Sequence, residues 1–447
     1  MPTLNFIKSF VQKNAALTNI IWLLFDKFFR LSLSLVVVIW LARYLGPEQF
    51  GTLNYALALV SIVGTAAALG LNGLVVRDLV REPLQSDSIL GSAFALKVGA
   101  AVSGYFVVVC LLLFLHVDEL TMKLCLILSL TFLFKTSDVV KYWFESQVQS
   151  KYVVIVENGV FAVIVLIKLL LIYFGAPLIA FAWVYIAEVA SVAFWLFCIY
   201  RFKHSTFSWF FSVEKARQLL AECWPLIVSV AAWILYSRVD QIMIGQLINA
   251  QAVGYFSAAV RISEVSNMLP AIIVMSVMPG VIKLQKTSPL HYRKRMQNIY
   301  DLCVVLMLCV AVITQLFADV VVELLFTNSF AEAANVLRLQ IWTGIFLALA
   351  LVSSRYLINE GQQKLLMFRN LIGLLLNVPL NYIFIPLLGI QGAALASLIS
   401  VIFVSYIFDL SNTVLRPVFM QKTRALLLLT CWQFIGQLFV LQWRKYK

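Results

Sequence analysis

The sequence predicts an all-α polytopic membrane protein built from two parallel six-helix bundles, with an extra C-terminal apolar helix. Three observations lead there. The 447-residue chain is 62% hydrophobic and only 12% charged, with a mean hydropathy of +0.94. Its apolar residues fall into twelve runs long enough to cross a bilayer, which takes about 20 helical residues. The two halves also repeat one another, and each holds six runs.

In chain order the runs are 18–42, 50–70, 89–114, 120–142, 153–174, 178–200, 222–247, 253–282, 297–317, 336–358, 365–385 and 390–411, with a further apolar segment from Ala425 to Trp443. None shows the alternation of a barrel strand, so helices are the arrangement that satisfies backbone N–H and C=O groups in lipid. Lys8 and Lys13 precede a first run that is too long and too charged for a cleaved signal, so it is expected to stay as an anchor. Between runs, Leu71–Ser88 and Arg201–Ala221 suit amphipathic helices at the interface. The expected division is 1–200, a linker at 201–221, a second half at 222–411, and an extension at 412–447.

The repeat is carried by glycine and alanine. Leu45–Val60 aligns with Ile248–Ser263 at a shift of 203, pairing Gly51 with Gly254 and Ala56 with Ala259; Gly175, Ala180 and Ala182 align with Gly389, Ala394 and Ala396 at a shift of 214. Six spans per half give both halves the same orientation, with a substrate path expected between them. The face Asn54, Ala58, Ser61, Thr65 on the second run corresponds to Ser257, Arg261, Glu264, Met268 on the eighth, where it carries charge. Such a stripe serves plain helix packing or lines a cavity, and both readings stay open.

The net charge of +13 does not call for nucleic acid. With the N-terminus cytoplasmic, Arg77, Arg81, Lys141, Lys215, Arg293, Lys294, Arg369, Lys422 and other cations fall on the cytoplasmic side, while Arg43 and Arg338 are almost alone opposite. This is the positive-inside pattern of an inner membrane protein in contact with its lipids. The tail Arg444, Lys445 and Lys447 breaks the pattern if Ala425–Trp443 crosses, so that segment reads as peripheral, interfacial or re-entrant. The seven cysteines lack metal or disulfide spacing and read as apolar packers.

Charges inside the runs need a reason, because each costs at least ~3 kcal/mol at the bilayer centre. Asp26, Lys27 and Arg30 share one arc of the first helix. Asp240 shares a face with Ser229, Trp233 and Tyr236 on the seventh run, whereas Arg238 lies about 200° away and must look elsewhere for a partner. Lys97, Lys168, Arg261, Glu157, Glu188 and Glu264 complete the intramembrane charges, while Lys135 and Arg355 read as snorkelling. Cations outnumber anions, which suits a polyanionic cargo such as a diphosphate. The substrate-binding candidates are Lys27, Arg30, Lys97, Lys168, Arg238 and Arg261, and Asp26, Asp240 and Glu264 are candidates for coupling H+ or Na+. No P-loop, metal-ligand spacing or large extramembrane domain accompanies them, so no cofactor is expected and the chain reads as a transporter rather than an enzyme.

Three segments carry a resemblance: Arg43-Tyr44-Leu45-Gly46-Pro47-Glu48-Gln49-Phe50-Gly51, Asp240-Gln241-Ile242-Met243-Ile244-Gly245 followed by Gly254-Tyr255-Phe256-Ser257-Ala258-Ala259 and Arg261, and Leu388-Gly389-Ile390-Gln391-Gly392-Ala393-Ala394. Together they resemble the O-antigen and capsule translocases of the multidrug/oligosaccharidyl-lipid/polysaccharide exporter superfamily. The resemblance implies two bundles splayed in a V around a cationic cavity. It also implies a cargo, undecaprenyl-diphosphate-linked oligosaccharide moved to the periplasmic leaflet, with Arg30, Arg238 and Arg261 on the diphosphate or sugars and Asp26 or Asp240 as coupling sites. An O-antigen polymerase and a chain-length regulator are the expected partners. The alternatives are a peptidoglycan-precursor flippase, a multidrug exporter of the same superfamily, which would need an acidic cavity, and a membrane glycan polymerase or ligase, which would need a large periplasmic loop.

Overall fold

A computed structural model describes the backbone of residues 2–203, 208–411, 413 and 415–428, and the side chains from Leu33 onward within those segments, apart from residues 226, 279, 283, 286 and 363. It is helical throughout, with no strand among the described residues. Eleven helices there are long and apolar enough to cross a membrane. They match the twelve expected runs, because the first two are joined in α1 (Pro2–Ala67), which is two helices meeting at Gly46 (φ 69°) and Pro47. A left-handed φ suits glycine, and the following proline needs no N–H partner at a helix start.

The first half continues with α2 (Asn72–Arg81), α3 (Ser86–Leu115), α4 (Glu119–Ser129), α5 (Thr131–Phe134), α6 (Asp138–Ser146), α7 (Ser150–Tyr173) and α8 (Leu178–Lys203). The expected fourth span is therefore broken into α4, α5 and α6, with a short 3-10 turn before the last. The second half runs through α9 (Val213–Leu247), α10 (Ala250–Ser266), α11 (Met268–Thr287), α12 (Pro289–Phe326), α13 (Ala333–Gln340), α14 (Thr343–Asn359), α15 (Gln363–Leu388) and α16 (Ile390–Ser405), and α17 (Arg416–Leu426) follows. Asp118 and Asn249 cap α4 and α10 by accepting from Thr121 and Ala252 backbone N–H groups.

Three cores show how the halves meet. One contains residues of both, including Leu41, Phe50, Leu53, Leu128 and Phe181 with Ile244, Phe256, Phe326 and Ala393. A second draws only on residues 71–223, and the third only on residues 274–425. The halves therefore share a core at the end that holds the loop after the first run, and keep separate cores at the other end. That is what a V requires.

The repeat-related glycines form the tightest part of the junction. A Cβ on Gly51 would lie 1.7 Å from the Ala250 carbonyl oxygen, and one on Gly254 would lie 2.0 Å from the Pro47 carbonyl oxygen. Each half thus lays the bare backbone of its second span against the other's. Gln246 donates to the Tyr55 hydroxyl across the junction (2.7 Å), and Arg43 donates to the Leu324 and Leu325 carbonyls at the C-terminal end of α12. Helix carbonyls without intrahelical partners are natural acceptors for such a cation.

At the separated end α9 reaches back to the first half. Leu219 and Cys223 belong to the first-half core, Lys215 pairs with Glu82 (2.5 Å), and Glu222 with Arg77 (2.6 Å). The linker expected at 201–221 thus ends inside this helix, and residues 204–207 of it lie outside the described residues.

Candidate functional site

Arg238, two turns before the shared core on α9, finds its partner on α10. Its guanidinium lies 3.4 Å from Glu264, and Arg261, one turn before Glu264, lies 3.2 Å from the same carboxylate. All three side chains are about a quarter to two-fifths exposed. Two cations on one anion leave one surplus positive charge, placed where the shared core ends at Ala258 and Ala259 and the halves part. Glu264, read from sequence as a coupling candidate, therefore serves both arginines.

Asp240 turns the other way, as its 200° offset from Arg238 requires, and is buried in the second half. One carboxylate oxygen accepts from Asn381 Nδ2 (2.6 Å) and the other from the Ser397 hydroxyl. Asn381 also donates to the backbone and side-chain oxygens of Asn377, both at 3.0 Å. Asn377 Nδ2 and Asn381 Oδ1 are buried without partners. Rotating either amide would trade nitrogen for oxygen around Asp240. One carboxylate with two amides and a hydroxyl is a set of hard oxygen donors suited to a hard cation. No group of three or more His, Cys, Asp or Glu lies together among the described residues.

A cavity of about 490 Å³ begins at Trp233 and Ser237, which are exposed, and runs past Asp240, Glu264 and Asn267 to Arg369. Every residue lining it belongs to the second half, whereas the sequence placed the expected path between the halves. Asp240 faces this inner chamber from α9 while Arg238, on another face of that helix, does not line it; Glu264, the partner of Arg238, borders both places.

The remaining candidates are placed differently. Lys97 is 2% exposed and pairs with Asp138 at 3.3 Å, with the Tyr142 hydroxyl at the same distance. Lys168, 7% exposed, pairs with Glu188 at 3.3 Å and lies over the Tyr185 ring. Expected to face a cargo, both are instead buried in the first half against carboxylates, which offset the cost of burial. Asp26, Lys27 and Arg30 fall on α1, but their side chains lie outside the described residues, as does the apolar segment beyond Leu428. Lys135 and Arg355 are exposed, in keeping with snorkelling. Arg369, near the start of the run 365–385, and Lys422, beyond the last of the twelve runs, count among the cytoplasmic-side cations in the sequence and are 3% and 0% exposed inside the second half. α17 extends the packed core past the last of the twelve runs, which is why hydropathy missed Lys422, whereas Arg369 lies within a run and its partners come from α14. Asn377, Asn381 and Ser397 were missed because they carry no charge; the N-x-x-x-N spacing on one face of α15 is the signal that could have found them.

Comparison with known proteins agrees with the fold. The chain is 21% identical over 386 residues to the capsular polysaccharide biosynthesis protein CapF of Staphylococcus aureus, covering 83% of this chain and 93% of that one. It is similar in fold to an inward-facing multidrug resistance MATE family transporter of the MOP superfamily (TM-score 0.72, 14% identity, 89% and 94% of the two chains). The lipid II flippase MurJ in an inward closed conformation is similar too (TM-score 0.72, 16% identity, 92% of each chain). The MatE profile matches residues 225–383, and the profile of the polysaccharide biosynthesis protein family matches residues 16–285. With that match over more than half its length, the chain belongs to the polysaccharide biosynthesis protein family.

Proposed function

We propose that this protein flips a lipid-linked oligosaccharide, attached through a diphosphate, from the cytoplasmic to the periplasmic leaflet of a bacterial inner membrane by alternating access. The observation that carries this reading is the sharing of Glu264 by Arg238 and Arg261 at the parting of the halves, which leaves a cation unneutralised. A guanidinium offers a planar fork to a phosphate oxygen pair, and hydrogen bonds to charged groups contribute about 1.5–3 kcal/mol each. Lys27 and Arg30 would add to this charge from the first helix. A cationic drug would meet repulsion here, which disfavours multidrug export. A peptidoglycan precursor shares the diphosphate, and its sugars and peptide are the difference to test.

In this reading the separated end faces the cytoplasm, in accord with the positive-inside pattern and with the better match to an inward-facing transporter than to an outward-facing one (TM-scores 0.72 and 0.57). Asp240 with Asn377, Asn381 and Ser397 takes the coupling H+ or Na+. An O-antigen or capsule polymerase and its chain-length regulator would receive the product.

The test is surface polysaccharide in cells that depend on this protein. Arg261→Ala and Arg238→Ala should abolish it with the membrane level of protein unchanged, and Arg261→Lys should keep part of it. Normal surface polysaccharide in both alanine variants would sink the assignment.

A further inference from the structure

The second half buries another charged cluster, which the transport reading leaves unused. Lys422 of α17 and Asp409, just past α16, are wholly buried and 2.7 Å apart. Arg369 of α15 reaches the same place: its Nη1 donates to Ser353 Oγ at 2.9 Å, and Lys422 Nζ donates to that same oxygen at 3.0 Å. Two buried cations therefore share one hydroxyl. The described partners of Arg369 are neutral oxygens, those of Ser353, Ser354 and the Ala350 carbonyl. Arg369 Nε, Asp409 Oδ1 and the Tyr300 hydroxyl are buried without partners.

The titratable groups around the cluster are Tyr292 and Tyr300 on α12, Tyr356 on α14, Arg369 on α15, Asp409 and Tyr406 beyond α16, and Lys422 itself on α17. Asp301 is turned to Gln297 (2.8 Å). The core of the cluster is thus two cations against one carboxylate. A guanidinium keeps its charge in a protein, whereas a buried lysine can shed a proton. An uncompensated buried charge is strongly disfavoured, so either Lys422 becomes neutral or an anion joins the cluster. The way in is open: Arg369, Ser354 and Asn370 line the cavity that also holds Asp240.

We propose that the Arg369 end of this cavity binds one small oxyanion, a carboxylate or a phosphate group, and that Lys422 gains a proton when the anion binds. Above about pH 8 the charges balance in both states, Arg369 against Asp409 when the site is free and the lysine neutral, and two cations against Asp409 and the ligand when it is filled; below it the free site carries the surplus cation that the anion neutralises. Burial, offset in part by Asp409 and reinforced by Arg369, pushes the Lys422 ammonium down to about 8. Proton and anion then assist one another reciprocally. Affinity should be level below pH 8 and fall about tenfold per pH unit above it, where each binding event must draw in a proton.

The experiment uses the full-length protein in nanodiscs, with thermal unfolding read by tryptophan fluorescence at matched ionic strength from pH 7 to 9.5. Sodium phosphate and sodium glucuronate are the probes, and glucose is the neutral control. Stabilisation by phosphate alone assigns the site to a free ion; stabilisation by glucuronate, with or without phosphate, admits the acidic group of a sugar. In either case the apparent affinity should weaken above pH 8, and the response should vanish in Arg369→Met and be weak and independent of pH in Lys422→Met, where Arg369 and Asp409 already balance. Each of those variants removes one of the two cations and leaves a balanced pair, so their melting temperatures should match or exceed the parent's, while Asp409→Asn lowers it. No response to either anion in the parent protein overturns the proposal, whatever the variants do. So does an equal loss of stability in Arg369→Met and Lys422→Met, the mark of a cluster that only braces the fold.

Discussion

Replacing Gly51 or Gly254 by valine should hold the joined end of the molecule apart. A Cβ at position 51 would sit 1.7 Å from the Ala250 carbonyl oxygen and 2.7 Å from the Gly254 nitrogen, and at position 254 it would sit 2.0 Å from the Pro47 carbonyl oxygen. Ordinary contact needs about 3.5 Å, so the helices must part by roughly 1.5 Å or more. The obstacles are backbone atoms, which cannot step aside by changing rotamer. Parting loosens the Tyr55–Gln246 hydrogen bond and the edge contact of Phe50 with Phe330, whose ring centroids are 6.0 Å apart. Overpacking costs typically about 1–3 kcal/mol, which moves a two-state balance roughly five- to 150-fold. The assay is disulfide formation between Tyr55→Cys and Gln246→Cys in a chain whose native cysteines are replaced by alanine. Gly51→Val and Gly254→Val should each cut the yield strongly and lower polysaccharide export, while Gly280→Val, which meets nothing within 4 Å, should do neither. Full cross-linking and normal export in both junction variants would refute the idea that this crossing must close and open in each cycle.

Two more outcomes separate structure from transport. Asp240→Asn keeps the shape and a hydrogen-bonding group toward Asn381 and Ser397 but removes the charge, so it should leave the protein folded while abolishing any Na+- or H+-dependent stabilisation measured by thermal unfolding; an unchanged ion response excludes Asp240 as the coupling site. Lys97→Met removes one of two lysines from Asp138, the other being Lys141 at 3.0 Å, so stability should fall by about 1–3 kcal/mol; export should decline only in proportion to the amount of folded protein, and a larger decline would restore Lys97 as a cargo contact.

The spans were legible because length and hydropathy are set residue by residue, and the glycine repeat even marked where the halves cross. The crossing itself was not: nothing in Gly51 or Gly254 taken singly says that each meets the other's helix. The charges divide in the same way. The offset of Arg238 from Asp240 follows from helix geometry alone and is realised in the structure, but the partner of Arg238 sits 26 residues on, at Glu264, and only packing could supply it. Lys97 and Lys168 read as surplus because Asp138 and Glu188 come from other helices. Arg369 and Lys422 read as cytoplasmic-side charges because charge counting places a cation by its position along the chain, while their shared partner Ser353 comes from α14.

The two halves repeat in backbone but differ in electrostatics. In the first half Lys97, Lys141 and Lys168 are tied to carboxylates: Lys97 to Asp138, Lys141 to Asp138 and Glu157, Lys168 to Glu188. In the second, Arg238 and Arg261 share Glu264, and Lys422 and Arg369 surround Asp409. Among the residues whose side chains are described, the surplus charge thus sits on the second half, and α9 is the element that links it to the first. This helix starts on the first half, held by Lys215–Glu82 and Arg77–Glu222, and passes Pro225, whose missing N–H weakens the helix ladder there. It then presents Arg238 to the parting of the halves and Asp240 to the inner chamber, two residues apart and on different faces. A rotation or bend of α9 that accompanies the separation of Arg77 from Glu222 would move both side chains at once. Cargo charge on one face and ion charge on the other would then be sensed by a single rigid body, so coupling between them needs no longer pathway than the width of one helix.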